Sequence, residues 1–172
     1  LPINVMEQET ENYAGASKQM YAAPHPDLEG IAAVTEVVKT AQSPAVVVSD
    51  DVARASATDD LVNLVEAMGA GVWFEAIRHH SAFPNRHPNA KDILPVDAAA
   101  IRKALQDADL VMLIGGPFFE EVWFTPGAPF PDGSKVIQIE ESPVRLAYNH
   151  PVDAGLVGHL PSTLRAMAQA LQ

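Results

Sequence analysis

Several polar residues and glycines of this sequence stand directly after runs of apolar residues, where buried strands would end. The carboxyl ends of parallel strands lie along one edge of an α/β sheet, and ligands bind outside that edge. If this chain binds a nucleotide, we therefore expect the contacts to come from these end positions. The residues concerned are Ser49, Asp50, Gly115 and Glu140.

The turn after the first apolar run, residues 49–54, does not suit a pyrophosphate. It contains no glycine, whereas the dinucleotide fingerprint needs glycines so that the backbone can approach the ligand. It also carries Asp50 and Asp51. Each carboxylate would repel a phosphate by roughly 4 kcal/mol at about 4 Å and an effective dielectric near 20. The sequence predicts no standard pyrophosphate site here.

Gly115 and Gly116 could admit a ligand closely, but two glycines after a strand also serve simply as a turn.

The histidines and acidic pairs do not form the pattern of a metal centre or a hydrolytic triad. His79, His80 and His87 lie in one connection near Asp92, but the chain has no HExxH motif and no cysteine. A solvated loop explains these histidines. The chain also lacks a G-x-S-x-G motif, and the neighbouring acids within each pair point in different directions; the pairs are Glu120-Glu121 and Glu140-Glu141. We predict no metal site and no catalytic residue in this segment.

An aromatic cluster follows the apolar run that ends at Ile114. Its members are Phe118, Phe119, Trp123, Phe124 and Phe130. The spacing is not that of one helix face, so the cluster belongs to a loop. The rings form either a local core or a wall that packs against another domain or subunit. The sequence leaves both possibilities open.

The elements that position these residues alternate between strands and helices. Leu110–Ile114 is apolar at every position, which indicates a strand covered on both faces. The remaining strands are predicted at 45–49, 71–74, 135–139 and 154–158, and the helices at 27–42, near 58–68, from Asp97 and after Leu160. This alternation predicts an α/β, Rossmann-like three-layer domain, with a doubly wound, mostly parallel sheet of five or six strands and helices on both faces.

Local signals fix several boundaries of these elements. Asp27 and Asp97 are predicted N-caps, and Gly69 is a predicted left-handed C-cap. Asp50 and Asp51 are expected to close the first strand. The connection from residue 75 to residue 95 is long, so it is functional or contains a short element that the pattern does not show.

The composition limits the class of protein. The chain has 172 residues, 48% of them hydrophobic, and a net charge of −11. This size suits one domain, and the negative charge argues against nucleic-acid and anionic-membrane partners. Neither cysteine nor an apolar run of about 20 residues is present, and a cytoplasmic location is expected. Residues 1–28 are expected to be an interdomain linker and the end of a missing N-terminal domain, and residues 29–172 one central domain.

Five stretches of the chain resemble, in the same order, the central domain of thiamine-diphosphate-dependent enzymes, the family that includes benzoylformate decarboxylase and acetolactate synthase. They are distributed along nearly the whole chain. The stretches are Leu1–Val5, Ser43–Val48, Phe83–Pro88, Ile114–Pro117 and the last two strands, Val136–Pro143 with Val152–Gly158. The first resembles the end of the family's N-terminal pyrimidine-binding domain. The others resemble strands and loops of the central domain.

The resemblance implies a domain that orients two catalytic domains, one binding the pyrimidine and one the diphosphate, in a decarboxylase-like enzyme acting on a 2-oxo acid. Such a parent enzyme uses thiamine diphosphate and Mg²⁺ and is a homodimer or homotetramer. The resemblance also implies that two loops of this chain contribute to the substrate cavity. Their residues are Phe83, Arg86, His87, Gly115, Gly116, Pro117, Phe118, Phe119 and Val122.

The chain also departs from the family pattern. Val122 stands where benzoylformate decarboxylase carries a histidine, and a hydrophobic group cannot relay protons. Carboxylates and aromatic residues replace the glycines and the arginine-rich loop of flavin-binding members, which argues against FAD or ADP. The Gly-Asp-Gly motif for magnesium and diphosphate is absent, so the segment alone is predicted to be inactive. The alternatives are a regulatory module that binds ADP or FAD, and a structural domain with a closed pocket.

Overall fold

The computed structural model describes residues 24–119 and 126–172. Within these ranges the elements are α1 (Leu28–Thr40), β1 (Pro44–Val48), α2 (Asp50–Arg54), α3 (Thr58–Met68), β2 (Gly71–Phe74), β3 (Ala90–Ile93), α4 (Ala98–Ala104), β4 (Leu110–Ile114), β5 (Lys135–Glu140), β6 (Ala154–Val157) and α5 (Leu160–Ala170). None of these helices is long and apolar enough to cross a membrane.

The six strands form one sheet in which every pairing is parallel. The strand order is β3-β2-β1-β4-β5-β6. Strand β4 lies between β1 and β5, with Val111 opposite Ala45 on one side and Val136 on the other. This arrangement confirms the predicted doubly wound α/β fold. It also places the carboxyl ends of β1, β2, β4 and β5 along one edge, as parallel strands require.

Both faces of the sheet are covered, which explains why β4 is apolar at every position. Leu110, Met112 and Ile114 face a core built with α1, α3 and α5. Val111 and Leu113 face a second core, to which Ile101 of α4 contributes. Alternate residues of one strand thus enter different cores, so no polar position is left on β4. Helices on both faces were predicted, and this prediction is confirmed.

The predicted helix caps are present. The Asp27 carboxylate accepts hydrogen bonds from the N–H groups of Glu29 and Gly30, and Asp97 accepts one from Ala100. These bonds satisfy donors that the first turn of a helix leaves unpaired. Gly69 ends α3 with a φ of 65°, the left-handed conformation expected of a C-cap glycine.

Two local features differ from the expectations. Asp50 and Asp51 were expected only to close the first strand, but they begin the short helix α2. The connection from 75 to 95 contains strand β3, whose sequence Ala-Lys-Asp-Ile has charged residues at two of its four positions. Strand β3 lies at the edge of the sheet and three of its residues are exposed. Its sequence therefore lacks the apolar pattern by which a buried strand is recognised.

Candidate functional site at the carboxyl edge of the sheet

The buried polar residues of the described chain concentrate where strands end. Ser49 and Asp50 follow β1, Glu75 follows β2, and Glu140 ends β5; all four are less than 5% exposed. The sheet order reverses between β1 and β4, and this switch point is where doubly wound sheets bind ligands. The candidate functional site is therefore this edge, and its chemistry depends on what the buried carboxylates contact.

Asp50 fixes the loop that follows β2. Its Oδ1 accepts hydrogen bonds from the backbone N–H groups of His79 and His80, at 2.8 and 2.9 Å. Its Oδ2 lies 3.0 Å from Nδ1 of His79 and 3.3 Å from an Arg54 guanidinium nitrogen. Burial by itself raises the pKa of Asp50, but the backbone and side-chain hydrogen bonds from the two histidines outweigh it and lower the pKa to about 2. Asp50 is therefore ionised at neutral pH.

Asp51 joins the turn after β1 to the loop after β5. Its Oδ2 accepts a hydrogen bond from the guanidinium of Arg145, and its Oδ1 accepts one of 3.1 Å from Arg54. Its backbone N–H donates to the carbonyl of Gly115, at 3.2 Å. Both the carboxylate and the backbone of Asp51 are thus occupied by the chain itself.

Glu140 lies deepest in this edge and is fully buried. Its Oε1 accepts hydrogen bonds from the backbone N–H of Gly116, at 3.1 Å, and from Nε2 of Gln138, at 2.9 Å. Its Oε2 lies 3.5 Å from Nε of Arg145, and neither atom makes a hydrogen bond. Burial raises the pKa of Glu140 above its ordinary value, although Gln138, Arg145 and Gly116 oppose the rise.

The two glycines after β4 are required by close approach. Gly115 has a φ of 71°, and a Cβ there would lie 2.9 Å from the backbone nitrogen of Val52. A Cβ at Gly116 would lie 2.5 Å from Oε1 of Glu140. The sequence left two interpretations of these glycines open, a ligand contact or a simple turn. In the structure they lie against α2 and Glu140 of the chain itself.

Phe118 and Phe119, which follow the cis peptide bond between Gly116 and Pro117, are held by two further polar side chains. The backbone N–H of Phe119 donates to Oε2 of Glu75, at 3.3 Å, and the carbonyl of Phe118 accepts from Nδ2 of Asn149, at 2.7 Å. Glu75 and Asn149 come from the loops after β2 and β5, so the segment after β4 is fixed from both sides.

The aromatic residues of this segment belong to the local core. Phe118, Phe119 and Phe130 are buried in the core on the α4 face of the sheet. Phe119 and Phe130 meet edge to face with centroids 5.7 Å apart, and the His150 ring meets both edge to face, with centroids 5.9 and 5.7 Å away. For these three phenylalanines the structure decides in favour of the local-core interpretation. Trp123 and Phe124 lie outside the described residues.

The remaining predicted cavity residues lie in different environments. Phe83 is buried in the core, and His87 packs edge to face on its ring at 4.9 Å. Nε2 of His87 lies 3.3 Å from a Glu66 carboxylate oxygen. Arg86 is exposed. Val122 lies outside the described residues.

An open depression of about 380 Å³ lies beside this loop. The residues that line it are Ala76, Arg78, His79, His80, Ser81 and Asn85. In residues 24–119 and 126–172, no group of three or more histidine, aspartate or glutamate side chains is placed to hold a metal ion.

The four positions proposed for a nucleotide do meet at this edge. Ser49 donates its backbone N–H to the carbonyl of Ile114, next to Gly115, while Asp50 and Glu140 hold the neighbouring loops. The side-chain oxygen of Ser49 is buried and makes no hydrogen bond. The polar atoms of Asp50 and Glu140 mostly contact the protein itself, which leaves them little capacity for a ligand.

Sequence reasoning missed Glu75, Gln138 and Arg145 as residues of this edge. Glu75 could have been found, since it directly follows β2 just as Ser49 follows β1. Gln138 stands inside an apolar strand, where a polar side chain is a signal in itself; it donates to Glu140 and to the carbonyl of Arg145. Arg145 carries no local signal, because its partner Asp51 is 94 positions away.

Comparison with known proteins gives a consistent result. The family model for the thiamine pyrophosphate enzyme, central domain, matches residues 31–167. Benzoylformate decarboxylase of Pseudomonas aeruginosa is 29% identical over 157 residues, which are 91% of this chain and 30% of that protein. The acetolactate synthase large subunit of Mycobacterium tuberculosis is 28% identical and covers 90% of this chain and 26% of its own length.

A solved structure agrees with these sequence matches. The thiamine diphosphate-dependent 4-hydroxybenzoylformate decarboxylase of Rhodococcus jostii superposes with a TM-score of 0.82 at 27% identity, over 91% of this chain and 29% of that one. The chain thus spans about 30% of the length of the decarboxylases that it matches. Because the family model covers most of the chain and a solved relative shares its fold, the chain belongs to the central-domain family of thiamine pyrophosphate enzymes.

Proposed function

We propose that this chain is the central domain of a thiamine-diphosphate-dependent enzyme that decarboxylates a 2-oxo acid. Two of the relatives are named for benzoylformate and 4-hydroxybenzoylformate, which are both 2-oxo acids. In this proposal residues 29–172 form the domain and residues 1–28 the linker to a pyrimidine-binding domain. The parent enzyme is a homo-oligomer in the cytoplasm, and Mg²⁺ and the diphosphate are bound by a further domain.

The domain's own task is to orient its neighbours and to present two loops, near 77–89 and 116–124, to the substrate cavity. The observation that carries this proposal is the use made of the buried carboxylates. Asp50 binds the backbone of the loop after β2, and Glu140 binds the backbone of the loop after β4. The described parts of both loops are therefore held by the chain itself, which reduces the ordering cost of substrate binding.

The residues of this chain do not fit thiamine diphosphate itself. A diphosphate needs donors and positive charge, but the turn after β1 presents Asp50 and Asp51, and Asp50 is held ionised with a pKa of about 2. We therefore assign no step of the thiamine chemistry to this chain. Its residues hold the loops at the edge of the sheet.

A single exposed residue tests the loop assignment. In the polypeptide that carries this chain with its catalytic domains, Arg86→Ala should raise KM for the 2-oxo acid about tenfold, the effect of losing one charged hydrogen bond to the substrate carboxylate. The thermal midpoint should not change, because Arg86 is exposed. The matched control is Lys39→Ala, since Lys39 is also exposed but precedes β1 at the opposite edge. Equal KM values for the two variants would contradict the assignment of this loop.

The nucleotide-binding alternative has one observation in its favour. The strand order is that of dinucleotide-binding domains, and Glu75 follows β2, where such domains carry an acidic residue for the ribose. Glu75, however, accepts a hydrogen bond from Phe119 and is buried. Absorbance at 260 nm retained through purification, or saturable binding of ADP, would favour this alternative. If neither is observed, the result favours the proposed orienting role or a structural domain with a closed pocket.

A further inference from the structure

The segment Gly115–Phe119 leaves the end of β4 and is fixed through its backbone by three other parts of the chain. The N–H of Gly115 donates to the carbonyl of Ile139, at 3.0 Å. The N–H of Gly116 donates to Glu140, at 3.1 Å, and that of Phe119 donates to Glu75, at 3.3 Å. Pro117 has no N–H to donate. Two of these three donors are therefore paired with buried carboxylates and not with a backbone carbonyl.

The two carboxylates come from opposite sides of the segment. Glu140 ends β5, on one side of β4, and Glu75 follows β2, which lies beyond β1 on the other side. They are 0% and 4% exposed. Burying two acids in a chain of net charge −11 is unfavourable, so an interaction specific to these positions must offset that cost. Glu140 gains the N–H of Gly116 together with the Gln138 amide and the nearby Arg145 guanidinium, and Glu75 gains the N–H of Phe119.

The segment has a conformation that it would not adopt unaided. Phe119 has a φ of 53°, in the left-handed region that a side chain disfavours, and Gly115 has a φ of 71°. A Cβ at Gly116 would collide with Glu140 Oε1. The close approach of Glu140 and the conformation of Phe119 thus belong to the same five-residue segment.

We propose that Glu75 and Glu140 are positioning residues that jointly fix the backbone of Gly115–Phe119. This inference rests on the proposed function, which assigns residues 116–124 to the substrate cavity. Neither glutamate touches the substrate. Each acts through a backbone N–H, Glu140 through Gly116 and Glu75 through Phe119.

Amide hydrogen exchange measured by NMR on the 172-residue chain tests the positioning without any assay of activity. Glu75→Gln should accelerate exchange at Phe119 by about tenfold and leave Gly116 within about twofold, because a neutral acceptor binds an N–H less strongly than a carboxylate does. Glu140→Gln should do the reverse. Glu36→Gln, an exposed glutamate on α1, should change neither amide.

The outcomes of this experiment decide between two roles. Selective acceleration at the partnered amide supports positioning. Uniform acceleration across β4, for example at Met112, would show that the glutamates contribute only to the general stability of the fold. No change at either amide would show that they do not protect these N–H groups. Either result would overturn the inference. If Glu75→Ala or Glu140→Ala fails to fold, the isosteric glutamine variants still give the answer.

A second measurement connects the positioning with the proposed function. In the polypeptide that carries the catalytic domains, Glu75→Gln and Glu140→Gln should lower kcat for the 2-oxo acid by about tenfold while the Kd for thiamine diphosphate stays within about twofold. A changed exchange pattern with unchanged kcat would keep the positioning but remove residues 116–124 from the cavity. Unchanged exchange would refute the positioning whatever the kinetics show.

Discussion

Asp50 illustrates how a buried carboxylate can be kept ionised by hydrogen bonds. Burial raises its pKa, yet two backbone N–H groups and the histidine side chains lower it to about 2, from 3.8. A carboxylate whose pKa is lowered on folding stabilises the fold above the unfolded pKa, and this contribution is lost as the pH falls through the folded pKa. The stabilisation from Asp50 is thus complete above about pH 5 and disappears between pH 4 and pH 2.

Replacement of this carboxylate should therefore remove a pH-dependent part of the stability. Asp50→Asn should lower the free energy of unfolding by up to about 2 kcal/mol at pH 7, the value of the pKa shift. The difference from the unmodified chain should shrink towards zero as the pH falls from 4 to 2. Urea unfolding at several pH values measures the loss of stability at pH 7 and its dependence on pH. Asp132→Asn, in an exposed turn, is the control, and a pH-independent effect of Asp50→Asn would contradict the argument.

The elements around β4 show why a turn can need glycine for two separate reasons. Gly69 at the end of α3 and Gly115 at the end of β4 have nearly the same positive φ, 65° and 71°. A Cβ at Gly69 would meet no atom within 4 Å, whereas at Gly115 it would lie 2.9 Å from Val52 N and 3.0 Å from Val52 Cγ2. The first glycine is needed for its conformation alone and the second also for the packing of α2 against β4.

Substitution of Gly69 and of Gly115 separates the conformational penalty of a positive φ from the steric overlap of an added Cβ with α2. Gly69→Ala should cost about 1 kcal/mol, the conformational penalty of a left-handed residue. Gly115→Ala should cost about 2–4 kcal/mol, because overpacking against α2 adds to the same penalty. Denaturant unfolding of both variants measures the difference. Equal losses would mean that α2 moves away without cost, and that its contact with β4 contributes little.

The molecule combines an α/β core with a carboxyl edge of the sheet whose acidic side chains bind other parts of the same chain. The carboxylates after β1, β2 and β5 all contact loops or turns of this chain. In a nucleotide-binding domain of the same topology this edge offers N–H groups and glycines to a phosphate. Here carboxylates accept N–H groups at the same edge, so the molecule holds its loops without a ligand.

For that reason thiamine diphosphate should not bind to the 172-residue chain. Calorimetric titration with thiamine diphosphate and Mg²⁺ should show no binding in the micromolar range, because the turn after β1 offers the diphosphate carboxylates instead of donors. Titrations with ADP and with FAD serve as parallel measurements of the nucleotide alternative. Micromolar binding of thiamine diphosphate would contradict the proposal that this domain only orients and positions.

The sequence by itself determined the layers of this protein. The unbroken apolar runs of β1 and β4 could belong only to strands covered on both faces, and burial on both faces requires helices on either side. The caps Asp27 and Asp97 and the C-cap Gly69 were also predictable, since their partners lie within a few residues. Periodicity and capping are local properties, and a sequence displays them directly.

Only the tertiary structure decided how the site is assembled. The short edge strand β3, with two charged residues among four, has no apolar run to recognise, and it is held by pairing with β2. Asp50 meets its partners 29 and 30 positions away, and Asp51 meets Arg145 94 positions away. Such contacts depend on the sheet placing strand ends that are distant in sequence next to one another. The same acidic turn that argued against a phosphate site gave no indication that its carboxylates bind the neighbouring loops, because those partners become neighbours only in the folded chain.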